Sequence, residues 1–151
     1  MKRIIIITVL LLLVITSFGC KKKEKMKDEA GHLIVAYKTY PFDRNSEDMD
    51  NYPYVKIFSD RKVEWGYGDG IIVNYTSIDK DLYDNIVSLA FSDTFTSLKG
   101  DISDNPGDDY RYITIYYENG SSKTIGGAGP INETFLELED RISKIYNTDH
   151  E

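Results

Sequence analysis

Residues 111–118, Arg-Tyr-Ile-Thr-Ile-Tyr-Tyr-Glu, then Asn119-Gly120, then residues 121–125, Ser-Ser-Lys-Thr-Ile, decide the fold. Ile113, Ile115 and Tyr117 alternate with Tyr112, Thr114 and Tyr116, the period of a strand with one buried face. Asn-Gly is the strongest short hairpin signal, because a type I′ turn wants positive φ at both central residues. The return strand is predicted over Ser121–Ile125, with Gly126–Pro130 breaking it. Asn132 is placed to cap a helix, with a staple from Ile131 to Leu136. Phe135, Leu138, Ile142 and Ile145 give that helix its apolar stripe.

Upstream, the same grammar repeats. His32–Tyr40 is predicted as a strand and the polar stretch Pro41–Asn51 as a loop. Tyr54–Ser59 and Lys62–Tyr67 are strands joined by a tight turn at Asp60-Arg61. Gly66, Gly68 and Gly70 break the pattern as a bulge or kinked turn, and Ile71–Tyr75 resumes it. Asp79 caps a helix carrying Leu82, Ile86, Leu89 and Ala90, stapled by Ile78 and Tyr83, which fades near Ser92. Phe91, Phe95 and Leu98 still need burial, and Gly100–Asp109 is an acidic loop. Ile78-Asp79-Lys80-Asp81-Leu82-Tyr83 and Ile131-Asn132-Glu133-Thr134-Phe135-Leu136 match as helix starts, each after a hairpin. Duplication and convergent capping chemistry both account for that.

The order ββ(β)α-ββα predicts an α+β fold. Its antiparallel sheet has about five to six strands, with two helices packed on one face and the other face wet. Val55, Ile57, Val63, Ile113, Ile115 and Tyr117 share the register that meets the helices. Tyr54, Lys56, Phe58, Tyr112, Thr114 and Tyr116 share the opposite one, and a one-residue slip would exchange the sets. Trp65 and Tyr67 fall on the buried side or its rim.

Residues 1–19 have the layout of a secretory signal: Lys2 and Arg3, an apolar run Ile4–Ile15, then Thr16–Gly19 before the single cysteine, Cys20. The run is shorter than the roughly 20 residues that span a bilayer comfortably. The Gly19-Cys20 junction resembles the lipobox of bacterial lipoproteins, with Ser17 where Leu is usual. That resemblance implies a lipid on Cys20 and a chain anchored to a membrane of the cell envelope, with its domain outside the cytoplasm. Residues 20–31 then form a Lys-rich tether (Lys21, Lys22, Lys23, Lys25, Lys27), about 18 Å long as a flexible coil. Anionic headgroups attract each such lysine by about 1 kcal/mol. Residues 32–151 form one globular domain.

From Asp28 onward the chain has 11 Lys and Arg against 24 Asp and Glu, a net charge of −13. Nucleic acid needs a basic footprint, so it is not an expected partner. With the one cysteine committed to lipid, no disulfide framework is expected.

Pro53-Tyr54-Val55-Lys56-Ile57-Phe58, the turn at Asp60-Arg61 and the ending Gly126…Pro130…Leu138…Ile142 resemble an uncharacterised family of small bacterial envelope lipoprotein domains, over Tyr52–Ile145. That family implies no particular activity. The ββα alternation is similar in layout alone to β-lactamase-inhibitor-type and immunity-type binding modules.

No catalytic constellation, metal site or cofactor is expected. His32 and His150, the only histidines, stand at opposite ends of the domain, and no G-x-S-x-G is present. Two distant histidines without a free thiol cannot fill a zinc sphere. Asp101, Asp104, Asp108 and Asp109 share one loop. However, Pro106 sits where an EF-hand requires Gly, and Tyr112 where it requires Glu. Gly66–Gly70 lacks the following Lys-Ser/Thr of a phosphate loop. Gly126–Gly129 precedes a helix start that Asn132 already caps.

The remaining constellation is aromatic. Tyr54, Phe58, Tyr112 and Tyr116, interleaved with Lys56 and Thr114, are expected on the wet face. There they would serve either cross-strand packing or the binding of an envelope protein. The expected function is a non-catalytic protein-binding module of inhibitor or immunity type. The alternatives are a cell-wall or small-ligand module stacking sugars on Tyr54, Phe58 and Tyr116, or a hydrolase using Asp101, Asp104 or Asp108.

Overall fold

The computed structural model describes residues 31–42, 52–68 and 72–147. Cys20, the lysine tether, the apolar run, most of the 41–51 loop, Gly70, Ile71 and His150 lie outside the described residues. Among the described residues there are six strands: β1 Leu33–Tyr40, β2 Pro53–Phe58, β3 Lys62–Tyr67, β4 Ile72–Ser77, β5 Tyr110–Tyr116 and β6 Ser122–Ala128. They form one antiparallel sheet in the order β4-β3-β2-β1-β5-β6. Helix α1, Lys80–Ala90, follows β4, and α3, Glu133–Asn147, follows β6. Between them lies a helix absent from the sequence reading, α2 at Asp93–Thr96. It forms because Ser92 ends the first helix and caps a new turn, accepting from the Phe95 N–H at 3.2 Å.

The caps stand where the sequence puts them. Asp79 accepts from Leu82 N at 2.8 Å, and Asn132 from Phe135 N at 3.1 Å. Ile78 is buried, as a staple requires, whereas Ile131 and Leu136 lie at the surface. An axis normal to the sheet between β1 and β2 exchanges β3 with β5 and β4 with β6 in order and direction. The two matching helix starts therefore occupy equivalent places.

Val35, Val55, Ile57, Val63, Ile113, Ile115 and Ile125 turn one face of the sheet toward Ile86, Ala90, Phe95, Phe135, Leu138 and Ile142. Each fully buried Ile, Leu or Phe contributes about 1.5–3 kcal/mol. The register is as predicted, with Trp65 buried in the same layer. A half-buried polar clamp closes this layer. The Tyr37 hydroxyl donates to Glu139 Oε1 at 2.6 Å, and Arg111 donates to Glu139 Oε2 at 2.7 Å and to the Pro130 carbonyl at 3.0 Å.

Three expectations about turns and glycines are corrected. The Asn119-Gly120 hairpin is not type I′: Gly120 has φ +82°, and Asn119 is not among the residues with positive φ. Gly120 N donates to Tyr117 O and Tyr117 N to Ser121 O, both at 2.9 Å, which makes a three-residue loop closed by a left-handed glycine. Gly66 makes no bulge, since β3 stays in register with both neighbours. Nor does Gly126 end β6, which runs on to Ala128. Both glycines allow close backbone approach. A Cβ on Gly66 would lie 1.7 Å from Ile72 O, and one on Gly126 would lie 2.1 Å from Arg111 O.

Candidate functional site

The wet face is built by the alternate register of all six strands. Its middle rows follow from the pairings. Lys38 on β1 stands between Tyr54 on β2 and Tyr112 on β5, and Ala36 stands between Lys56 and Thr114. Phe58 and Tyr116 lie near the start of β1, on β2 and β5. The six predicted residues thus share one face, and five of them are half-buried.

Tyr54 is the correction. It is only 7% exposed, because Gly66 opposite it has no side chain and the ring fills that space. Its hydroxyl is buried without a hydrogen-bond partner among the described residues. Burial, and next the nearby Glu64 carboxylate, push this phenol up. Lys56 lies 5.5 Å from the Tyr54 ring centre and pairs with Glu64 at 2.7 Å, so the ammonium is held over the ring. Tyr54 is therefore a floor of this face rather than a contact residue.

The densest aromatic group is one that the sequence reading only half named. Tyr110 and Tyr112 stack with ring centres 6.3 Å apart and planes 7° from parallel. Tyr40 meets Tyr112 edge-on, also at 6.3 Å. Tyr110 precedes the strand start predicted at Arg111, yet it continues the register of Tyr112, Thr114 and Tyr116. Thr114 and Thr124 join their hydroxyls at 2.8 Å beside this group. Together these contacts make a firm, mixed aromatic and hydroxyl surface.

The acidic loop has a structural role. Asp101 accepts from the Ser103 hydroxyl at 2.6 Å and its amide at 2.9 Å, and these bonds hold its carboxyl below the usual range. Asp104 accepts from Ile131 N at 2.9 Å, Asp108 is bound by the Asn105 side chain, and Asp109 accepts from Phe42 N and the Tyr52 hydroxyl at 3.2 Å. The carboxylates named for a hydrolase or calcium loop are thus each engaged in shaping it. Among the described residues no three His, Cys, Asp or Glu gather as metal ligands.

A shallow groove of about 610 Å³ lies where the described chain begins, lined by His32, Ile34, Tyr83, Val87, Phe91 and Tyr117. Ser59, Tyr116, Glu118 and Asn119 complete its lining, and Ser59 N donates to the His32 carbonyl at 2.9 Å. Among the described residues no helix is long and apolar enough to cross a membrane. Comparison with protein-family models, with curated proteins and with solved structures finds no match for this chain.

Proposed function

We propose that this chain is a lipid-anchored envelope protein that acts without catalysis, as a protein-binding module of inhibitor or immunity type. Cys20 carries the anchor in this reading, and the wet sheet face is the contact surface. The observation that carries it is the aromatic band of that face. Phe58, Tyr112 and Tyr116 are half-buried with Lys56 and Thr114 among them, and no helix among the described residues packs there. Tyrosine and phenylalanine supply large contact area at low entropic cost, which is why interface cores favour them. The acidic charge of the domain suits a basic partner and steers its approach.

The test is paired capture. Full chain and its Phe58→Ala/Tyr116→Ala variant are immobilised in detergent and exposed to envelope extract. One protein retained near stoichiometrically by the wild type and lost by the variant supports the reading, provided the variant unfolds at the same denaturant concentration. A large loss of stability in the variant would mean that this face is packing surface.

A second reading rests on the parallel Tyr110 and Tyr112 rings, a platform of the sort that stacks on sugars. Wall fragments that quench tyrosine fluorescence, with quenching lost in Tyr112→Ala, would favour it over a protein partner.

A further inference from the structure

At the tip of the β5–β6 hairpin, Glu118, Asn119, Gly120 and Ser121 are all exposed. The Asn119 carboxamide is nevertheless held in place. Its Oδ1 accepts from Ser121 N at 2.9 Å and from the Ser121 hydroxyl at 2.7 Å. The first of these bonds closes an Asx turn, which folds the side chain along the Asn119–Gly120 peptide toward Ser121. The next residue is a glycine at φ +82°, and a Cβ built on it meets nothing within 4 Å. No side chain shields its nitrogen, and the space about it is open.

Asn119-Gly120 is the single Asn-Gly pair in the sequence. Asn105 precedes Pro106, which has no N–H. Asn85 precedes Ile86 inside α1, and Asn74 precedes Tyr75 inside β4. Asn132 precedes Glu133, and its Oδ1 is spent on capping α3. At each of these positions the following nitrogen is missing, or its residue carries a side chain that crowds it.

We infer that Asn119 is a self-modification site, where the Gly120 nitrogen closes on the Asn119 carboxamide in the folded chain. The Gly120 N–H gives its proton to water, and the nitrogen forms a bond to Asn119 Cγ. Negative charge develops on Oδ1, where the two Ser121 donors already point, as in an oxyanion hole. The bond from Cγ to the side-chain nitrogen then breaks. That nitrogen keeps the electron pair, takes a proton and leaves as ammonia. Water opens the resulting succinimide at either carbonyl, giving an aspartyl or a β-linked aspartyl residue. Nothing is oxidised or reduced, and water is the sole co-reactant. Gly120 N–H must first leave Tyr117 O, its acceptor at 2.9 Å, and such local opening costs little at an exposed tip.

The product changes the tip twice over. It adds a carboxylate beside Glu118, on the rim of a depression lined by His32, Leu33, Tyr116 and Tyr117. Tyr116 belongs to the aromatic band, so the new charge stands at one end of the wet face. The β-linked form also lengthens the main chain, which loosens a loop closed by Tyr117 N to Ser121 O at 2.9 Å.

The test incubates the full chain in detergent at neutral and at mildly alkaline pH and digests samples with trypsin. Cleavage after Arg111 and Lys123 yields the peptide 112–123, in which Asn119 is the only side-chain amide. Against unincubated protein, that peptide should shift by the mass of an amide-to-acid change and split into two peaks. The larger should be a substrate for a protein isoaspartate methyltransferase. Peptides carrying Asn74, Asn85, Asn105 and Asn132 should keep their mass over the same interval. Gly120→Ala should block the conversion. Ser121→Ala, which keeps every backbone bond of the turn, should slow it, and the folded chain should convert faster than the chain in urea. An amide that persists in the folded chain but is lost in urea overturns the proposal, because the hairpin then shields it. Conversion at the wild-type rate in Gly120→Ala or in Ser121→Ala overturns it too. None of these readouts depends on partner capture.

Discussion

The two wings of the sheet, β2-β3-β4 on one side of β1 and β5-β6 on the other, use the same devices to different ends. Each has a three-residue hairpin turn, a glycine that lets two backbones touch, and an Asx-capped helix after its last strand. The β6 wing is then tied down from outside by Gly100–Asn105 and from above by the Glu139 clamp. The β4 wing ends in an uncharged strand that nothing described covers. The difference teaches that sealing is a property of the connections rather than of the strands. The long α2–β5 connection returns along the β6 edge, while β4 passes directly into α1 and leaves nothing behind to cover it.

Gly126→Ala against Gly66→Ala is the hardest blow to that comparison. A Cβ on Gly126 collides with Arg111 O at 2.1 Å and Tyr112 Cα at 2.7 Å, all fixed backbone held from both sides. Its expected cost is about 3 kcal/mol or more, read by urea unfolding. A Cβ on Gly66 collides with Ile72 O, but β4 can peel away because among the described residues no strand pairs with its outer side. The expected result is a global loss of about 1–2 kcal/mol, with hydrogen-exchange protection lost in β4 alone. Equal, global losses in both variants would break the distinction between a sealed and an open edge.

Next in size are the two acid–base pairs. Glu139 takes donors from β1 and β5 while sitting on α3, so Glu139→Gln leaves Arg111 without its counter-ion and loosens three elements. About 2 kcal/mol is expected. Glu64→Gln on the other wing removes only a contact between strands already paired, and under about 1 kcal/mol is expected. Titration sharpens this. Burial, and then the Glu139 charge, raise the Tyr146 phenol from 10.0 to about 12, and both also push Tyr37 far up. A raised folded value means that this stabilisation is complete below the unfolded pKa near 10. It is lost as pH rises through about 12. Glu139→Gln should therefore lower the Tyr146 ionisation seen in near-ultraviolet absorbance titration, whereas Glu64→Gln should leave it in place.

Much of this architecture was legible before any coordinates. Period-two alternation placed Val55, Ile57, Ile113 and Ile115 on one face, because burial on a pleated strand admits only one register. Asp79 and Asn132 were legible because a cap acts within three residues. The misses share a cause: they depend on what lies across the chain rather than along it. Gly66 and Gly126 looked like breaks, since a glycine's opposing backbone is invisible locally. Alternation does place Tyr54 on the wet side, but its burial comes from the bare Gly66 on the next strand. Likewise the edges of the sheet cannot be read from any single strand, so the exposure of β4 emerged only with the strand order.

The smallest expected effect concerns the two turns, and it tests whether the wings differ in their loops at all. Arg61 N donates to Phe58 O at 3.0 Å, as Gly120 N does to Tyr117 O at 2.9 Å. Asp60 accepts from Lys62 N at 3.2 Å, as Asn119 does from Ser121 N at 2.9 Å. The geometry is the same, yet one left-handed position holds arginine at φ +66° and the other glycine at +82°. An L-residue there costs about 1–2 kcal/mol, and glycine returns part of any gain as unfolded-chain entropy. Arg61→Gly should thus stabilise by about 0.5–1 kcal/mol, seen as a higher urea midpoint at unchanged slope. Gly120→Arg should lose about 1 kcal/mol, a purely conformational cost because a Cβ there meets nothing within 4 Å. If Arg61→Gly instead destabilises, the arginine side chain contributes more than its backbone strain costs, and the two turns are alike in shape only.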